Sequence, residues 1–206
     1  MLGEGALSFR EFAVGEPLPL ATVHEAILEF LRGRDDVVLF GAQAVNAYVD
    51  EPRMTQDVDV LALRAADVAE ELCGFLHRRF NIAVRIRSSD AGFRIYQVRS
   101  PRNRHLADVR PVRVMPEARR IAGVLVLAPV ELIASKVRSM VVRSKTAKGL
   151  TDAADLRRLL LAFPDLKTSD GPVRRRLEES DLGGAGGKTL AEWERVAAEE
   201  ILPDEE

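Results

Sequence analysis

The sequence has little cysteine and no long apolar run, and both absences narrow the class of protein. Cys73 is the single cysteine among 206 residues, so no internal disulfide can form and a cytoplasmic location is expected. No window holds the roughly 18 uncharged apolar residues that a membrane span needs, and no signal peptide is predicted at the start. Apolar residues make up 47% and charged residues 30% of the chain, which excludes disordered and collagen-like proteins.

Several common catalytic motifs are also missing. The sequence contains no Walker A loop, no Gly-x-Ser-x-Gly elbow and no dinucleotide-binding fingerprint. His24, His77 and His105 lie far apart, without the spacing of zinc ligands. Cys73 falls on the apolar side of a predicted helix, where we expect a buried, unreactive thiol. These absences leave acidic residues as the main candidates for chemistry.

The net charge of −2 conceals a basic middle third. Residues 77–148 hold 14 Arg and 3 Lys against 4 acidic residues. Such a segment in an otherwise acidic chain favours a polyanionic partner, a nucleotide or a nucleic acid. The alternative is that these arginines pair with acidic surfaces elsewhere in the fold. If the partner is RNA, the candidate contacts are Arg94, Arg99, Arg102 and Arg104.

Hydrophobic periodicity predicts an α+β fold. Apolar runs and polar–apolar alternation predict strands at 37–40, 57–63, 82–86, 93–98, 106–109 and 123–127. Amphipathic spacing predicts helices at 22–32, 42–49, 65–80, 129–143, 151–163, 172–179 and 190–201, with Thr22 and Thr151 as N-caps. This order indicates a mixed β-sheet flanked by helices in residues 1–128, followed by a helical C-terminal part, residues 129–206, that packs on this core.

Two aspartates in one predicted strand point to metal chemistry. Asp57 and Asp59 are two residues apart, so their side chains project from the same face. Two carboxylates this close repel each other unless a cation lies between them, and their oxygens suit Mg²⁺ or Mn²⁺. Asp108 lies in another apolar strand and could complete a cluster of three carboxylates, which can hold two metal ions for phosphoryl displacement. The alternative for the pair is an exposed strand edge or a helix cap.

A glycine marks a second candidate feature. Gly41 separates a buried strand from a helix, where backbone N–H groups can approach a phosphate. The alternative is that Gly41 ends the strand for steric reasons only. Ala42 follows it and keeps a backbone N–H, although it has no side-chain hydroxyl.

These residues together resemble the DNA polymerase β-like nucleotidyltransferase superfamily. The resembling segments are Leu39–Val45 and Arg53–Val60, followed by Asp108. Among the branches, the chain is most similar to the AbiEii-type toxins of type IV toxin–antitoxin systems and to the related MenT toxins. The downstream match is carried by Pro129–Lys136, Arg143, Lys148 and Asp152–Leu156. The resemblance extends over about residues 36–162 and implies a nucleotidyltransferase-like fold.

The resemblance also implies an activity: metal-dependent transfer of a nucleoside monophosphate from an NTP, such as ATP, to an acceptor hydroxyl. The basic middle segment favours an RNA acceptor, such as a tRNA end, and by resemblance the protein would be a toxin that a neighbouring antitoxin protein restrains. The implied catalytic and metal-binding residues are Asp57, Asp59 and Asp108; the implied nucleotide-binding residues are Gly41, Ala42, Lys136 and Asp155; Arg53 and Thr55 would support the site.

Alternatives remain at this stage. The acceptor could be a small molecule or a protein. Ala42 departs from the Gly-Ser or Gly-Gly pair of the superfamily, which leaves open a degenerate protein that only binds nucleotide or a partner. Lys136 could be an exposed helix lysine, and Asp152 a first-turn acid that favours the helix dipole.

Overall fold

The computed structural model describes residues 18–180 and 186–202. This part of the chain contains one seven-stranded mixed sheet and seven α-helices, which confirms the α+β prediction. The elements run α1 (Leu20–Leu31), β1 (Val37–Phe40), α2 (Gly41–Asn46), β2 (Val58–Ala62), α3 (Ala65–Phe80), β3 (Val84–Ser89), β4 (Gly92–Gln97), β5 (Arg104–Pro111), β6 (Ala118–Ile121), β7 (Val124–Leu127), α4 (Pro129–Val142), α5 (Ala147–Ala162), α6 (Pro172–Ser180) and α7 (Gly186–Ala198).

The chain divides into two compact units. One comprises Met1–Gln43 and Met54–Val126, and the other comprises Ala44–Arg53 and Leu127–Glu206. The sequence prediction placed a single division between residues 128 and 129. The structure groups the short segment 44–53 with the C-terminal helices, and a domain boundary between residues 128 and 129 stays a prediction.

The sheet of the first unit has the strand order β3-β4-β5-β2-β1-β7-β6. Strand β1 pairs antiparallel with β2 and parallel with β7, and β2 pairs parallel with β5. The hairpin of β3 and β4 extends the sheet from β5 by antiparallel pairing. Strands β2 and β5 are thus neighbours in the sheet and run in the same direction, although they are far apart in sequence. This pairing sets the geometry of the candidate site.

The hydrophobic pattern explains most of the elements of the first unit. β1 is an apolar run with three buried residues, and β2 alternates buried and partly exposed positions. Helix α3 has the bounds that the sequence predicted, with Val68, Leu72 and Leu76 fully buried. Strand β6 was not predicted, because its sequence ARRI shows no apolar alternation.

Two predicted helix caps are wrong. Helix α1 begins at Leu20 after Pro19, so Thr22 lies inside the helix. Helix α5 begins at Ala147, and the Oγ1 of Thr146, rather than of Thr151, accepts a hydrogen bond from the Gly149 N–H. Both helices start earlier than predicted: the first turn of α1, LATV, is mostly apolar and belongs to the helix, whereas the first turn of α5, AKGL, contains Lys148 and Gly149, which obscure the start.

The second unit is built from helices around an apolar core. The fully or almost fully buried side chains of this core are Leu132, Ile133, Val137, Leu156, Leu159, Leu160, Val173, Leu177 and Trp193. No helix in the described part of the chain has the length and apolar character needed to cross a membrane.

Candidate metal centre

The pairing of β2 with β5 places two of the predicted carboxylates side by side. Asp59 and Asp108 are register partners in this parallel pair, and such partners project from the same face of the sheet. Arg110, two residues after Asp108, reaches both: its Nη2 lies 3.4 Å from Asp59 Oδ1 and 3.8 Å from Asp108 Oδ2. The guanidinium also lies over the Phe40 ring, 4.9 Å from its centroid. One cation therefore holds the two carboxylates in a common orientation.

The third predicted carboxylate joins the cluster through a histidine. His105 Nδ1 lies 3.1 Å from Asp57 Oδ2, and its Nε2 lies 2.9 Å from Asp108 Oδ1. Ligand atoms of these three residues all lie within 4.8 Å of one another, a spacing that one metal ion could span. The structure thus brings Asp57, Asp59 and Asp108 to one face of the sheet, together with a histidine that the sequence analysis had set aside.

The charge of His105 follows from its position. Burial lowers its pKa, but the hydrogen bonds and charges of Asp108 and Asp57 outweigh burial and raise the pKa to about 10. At neutral pH the ring is therefore an imidazolium between two carboxylates. Together with Arg110, it offsets part of the negative charge that three clustered aspartates create.

A β-bulge explains why sequence periodicity missed His105. In the pairing of β4 with β5, Ala107 lies opposite Ile95 but His105 lies opposite Tyr96, so Leu106 is an extra residue in β5. A bulge reverses the alternation of side chains along a strand. His105 consequently faces the same side as Asp108, three residues away. The one local sign of the bulge in the sequence is that two apolar residues, Leu106 and Ala107, are adjacent. Both are fully buried in the structure.

Gly41 lies directly against the carboxylate cluster. Its φ of +70° is in the left-handed region, and a Cβ at this position would lie 2.1 Å from Asp59 Oδ2. A side chain at position 41 would therefore displace the carboxylate, so glycine is required for conformation and for space. In the structure Gly41 lies against the side chain of Asp59. The contact of Gly41 and Ala42 with a phosphate stays a prediction.

Thr55 holds the backbone before the strand. Its Oγ1 donates a hydrogen bond to the Asp57 carbonyl at 2.7 Å and accepts one from the Asp57 N–H at 3.3 Å. This local turn orients the chain as it enters β2. A supporting role of Thr55 in the site stays a prediction.

Three more of the predicted residues meet in the second unit, in a buried ion network. Lys136 Nζ donates to Asp152 Oδ1 at 3.0 Å and to Asp155 Oδ2 at 2.7 Å. Arg53 binds Asp155 through both Nε and Nη2, at 2.6 and 2.8 Å, and Arg143 Nη1 lies 3.0 Å from Asp152 Oδ2. Lys136 is 6% exposed and Asp155 is 0% exposed. Every charge in this network has an opposite partner, as buried charges require.

The network changes the interpretation of its members. Burial raises the pKa of Asp155, yet the hydrogen bond from Arg53 and the charge of Lys136 bring it below the ordinary value, so the group is ionised. Lys136 is not an exposed helix lysine. Asp152 is not a first-turn acid, because α5 begins five residues earlier. The nucleotide contacts implied for Lys136 and Asp155 stay predictions.

The four arginines proposed for RNA have different environments. Arg104 is half-buried, and it donates to Gln97 Oε1 at 3.0 Å and to the Leu18 carbonyl at 2.8 Å. It therefore ties parts of the first unit together. Arg94 is about half exposed, and its Nε lies 3.6 Å from Asp108 Oδ1. Arg99 and Arg102 are exposed.

Comparison with known proteins identifies the fold. No protein-family model and no curated protein matches the sequence. Among solved structures, the Megavirus polyadenylate synthase is similar, with 14% identity and a TM-score of 0.60 over 84% of this chain and 39% of that protein. JHP933 from Helicobacter pylori is 15% identical, with a TM-score of 0.56 over 93% of this chain and 92% of that protein.

The two likenesses differ in extent. This chain spans about two fifths of the length of the polyadenylate synthase and nearly the whole of JHP933. At such identities structural similarity identifies the fold, whereas function depends on the residues of the site. The chain has a nucleotidyltransferase-like fold.

Proposed function

We propose that this chain is a metal-dependent nucleotidyltransferase that transfers a nucleoside monophosphate from an NTP to an acceptor hydroxyl. One observation carries the proposal: Asp57, Asp59 and Asp108 converge on one sheet face, with Gly41 packed against them, in a nucleotidyltransferase-like fold. His105 and Arg110 offset part of the charge of these carboxylates, and a bound divalent cation would offset more of it.

The donor set fits a divalent cation. Carboxylate oxygens from three aspartates suit Mg²⁺ and Mn²⁺, whereas His105 would have to lose a proton before its ring could add a nitrogen donor. Asp57 and Asp59 would hold the ions, while Asp108 would bind one of them and orient the acceptor hydroxyl. Such an ion lowers the pKa of a bound hydroxyl and neutralises phosphate charge.

The residues of the chain would then position the reactants. The acceptor oxygen would form a bond to the α-phosphorus of the NTP as the bond to the β-phosphate oxygen breaks. Pyrophosphate leaves, and the hydroxyl proton passes to Asp108 or to solvent. Arg110 would keep Asp59 and Asp108 parallel through its contacts to both, and the absence of a side chain at Gly41 would leave room beside Asp59.

We further propose an RNA acceptor and the role of a toxin restrained by an antitoxin. The support is the resemblance of the motifs to AbiEii-type toxins and the basic character of residues 77–148. The similar Megavirus protein is, by its name, a synthase of polyadenylate. A cytoplasmic location agrees with this role and stays a prediction.

The test is transfer of label from each α-³²P-NTP, with Mg²⁺ or Mn²⁺, in the presence of total RNA, of protein, or of no acceptor. We expect label in RNA with the wild type and at least about 100-fold less with Asp59→Asn, because a charge that stabilises the transition state is lost. Asp67→Asn is the matched control, since Asp67 is an exposed carboxylate on α3. Label in protein contradicts the RNA acceptor, and nucleotide binding without transfer to any acceptor contradicts the enzyme.

A further inference from the structure

The row of side chains that contains the two paired carboxylates continues across the sheet to its edge. Arg87 on β3 is the register partner of Arg94 on β4, Arg94 is the partner of Asp108, and Asp108 is the partner of Asp59. Register partners on neighbouring strands share a face and lie about 5 Å apart. The row therefore runs from two arginines at the edge to two carboxylates inside.

A second row runs beside the first. Arg85 on β3 is the partner of Tyr96 on β4, and Tyr96 is the partner of His105. The rings of Tyr96 and His105 have centroids 5.0 Å apart and an angle of 33° between their planes. Arg85 and Arg87 are two residues apart on one strand, so both rows lie on the same face.

This face is open to solvent and positively charged at its edge. Arg85 and Arg87 are exposed, and about half of the Arg94 side chain is exposed. Among the described residues, neither Arg85 nor Arg87 forms an ion pair. By contrast, the alternate residue Ile95 of β4 is fully buried on the other face of the sheet. The three guanidinium groups thus stand where a large anion can reach them.

We propose that this surface binds the 3′ end of a single-stranded RNA acceptor. It consists of three arginines and one tyrosine, Arg85, Arg87, Arg94 and Tyr96, and is called the arginine rows below. The inference rests on the proposed function and names the surface that would deliver the acceptor hydroxyl to Asp108. Phosphates along the strand would contact the three arginines. An unstacked base would pack on Tyr96, since aromatic side chains beside a basic track bind single strands in this way.

The geometry favours a single strand over a duplex. Arg85 and Arg87 stand side by side at the edge of the sheet, about 6.6 Å apart along β3 at about 3.3 Å per residue, so both can contact the backbone of a single strand that enters there. A duplex keeps its bases stacked, so it could not use the ring of Tyr96. Positive charge decreases from the edge towards Asp108 and Asp59. Because the carboxylates repel phosphates, the uncharged terminal hydroxyl is the part of the strand that can lie beside them.

The test measures binding of the whole protein to a fluorescently labelled 12-nucleotide single-stranded RNA by anisotropy at several salt concentrations. Each phosphate contact on a single strand contributes about −0.7 to the slope of log K against log salt. We therefore expect the double variant R87Q/R94Q to reduce the magnitude of that slope by about 1.4, and R85Q to reduce it by about 0.7. Arg78→Gln is the matched control, because Arg78 is exposed on α3, outside both rows.

Tyr96 gives an independent readout. Tyr96→Ala should weaken binding about 5- to 150-fold through loss of base stacking, whereas Tyr96→Phe should bind like the wild type. An unchanged salt slope in R87Q/R94Q, or tighter binding of duplex RNA than of the single strand, would overturn the proposal. These binding assays need no catalysis. If label is transferred to RNA but the salt slopes of the variants are unchanged, only the proposed binding surface is wrong. If RNA binds through the arginine rows but no label is transferred, only the proposed enzymatic activity is wrong.

Discussion

Substitution of Gly41 by alanine tests whether the glycine exists to make room for the carboxylate cluster. The new Cβ would lie 2.1 Å from Asp59 Oδ2, while ordinary contacts begin at 3.4 Å, so the carboxylate must move by about 1.3 Å. A matched control is available in Gly33. It has nearly the same φ, +75° against +70°, but a Cβ there meets nothing within 4 Å. The two variants therefore share the backbone strain and differ in the clash.

The expected magnitudes separate the two effects. A left-handed φ costs a non-glycine residue about 1–2 kcal/mol. For a chain of this size that corresponds to a fall in Tm of about 2–8 °C, which both variants should show. A displacement of about 1 Å at a reacting group can cost about 100-fold in rate. We therefore expect Gly41→Ala alone to weaken Mn²⁺ binding and nucleotidyl transfer by about 100-fold.

The assay combines thermal melting with Mn²⁺ binding followed by electron paramagnetic resonance of the free ion. Mn²⁺ binding reports on the carboxylates even if no acceptor has been found. Equal losses of Mn²⁺ affinity in Gly33→Ala and Gly41→Ala would refute the reasoning, because backbone strain would then explain both. So would a Gly41→Ala variant that binds Mn²⁺ like the wild type.

Two further predictions concern the buried ion network. Lys136→Met should lower Tm by at most about 6–20 °C, the equivalent of the about 3–5 kcal/mol lost when a buried charge is left unpaired, because Arg53 and Arg143 still pair with the two aspartates; a variant that melts like the wild type but no longer binds NTP would instead support the phosphate contact. Asp155 has a lowered pKa in the folded protein, so its charge stabilises the fold above about pH 4 and this contribution is lost as the pH falls through the lowered value. Denaturation titrations from pH 7 to 2 should therefore show a steeper acid loss of stability in the wild type than in Asp155→Asn, and equal slopes would contradict the assignment.

Local patterns predicted the elements that bear the candidate site. The apolar run of β1 and the alternation of β2 mark both strands in the sequence, and the bounds of α3 match the prediction. Strand periodicity alone also places Asp57 and Asp59 on one face. β6 was missed because it has two adjacent arginines, and the start of α5 was misplaced because its first turn contains Lys148 and Gly149.

The composition of the ion network could not be predicted from spacing. Arg53 and Asp155 are 102 residues apart, and their bidentate contact depends on the packing of the segment 44–53 with the C-terminal helices. The same packing buries Lys136, which sequence analysis treated as a surface or phosphate-binding residue. Burial of a charge is decided by which elements surround it, and helix periodicity does not contain that information.

The sequence by itself determined the α+β class, the paired aspartates on β2 and the glycine that follows β1, because each depends on the conformation of a few consecutive residues. The tertiary structure decided that β5 lies beside β2 in the register that joins Asp108 to Asp59, and that a bulge turns His105 towards them. Strand order and register are set by burial and hydrogen bonding between segments about 50 residues apart, so no local pattern encodes them.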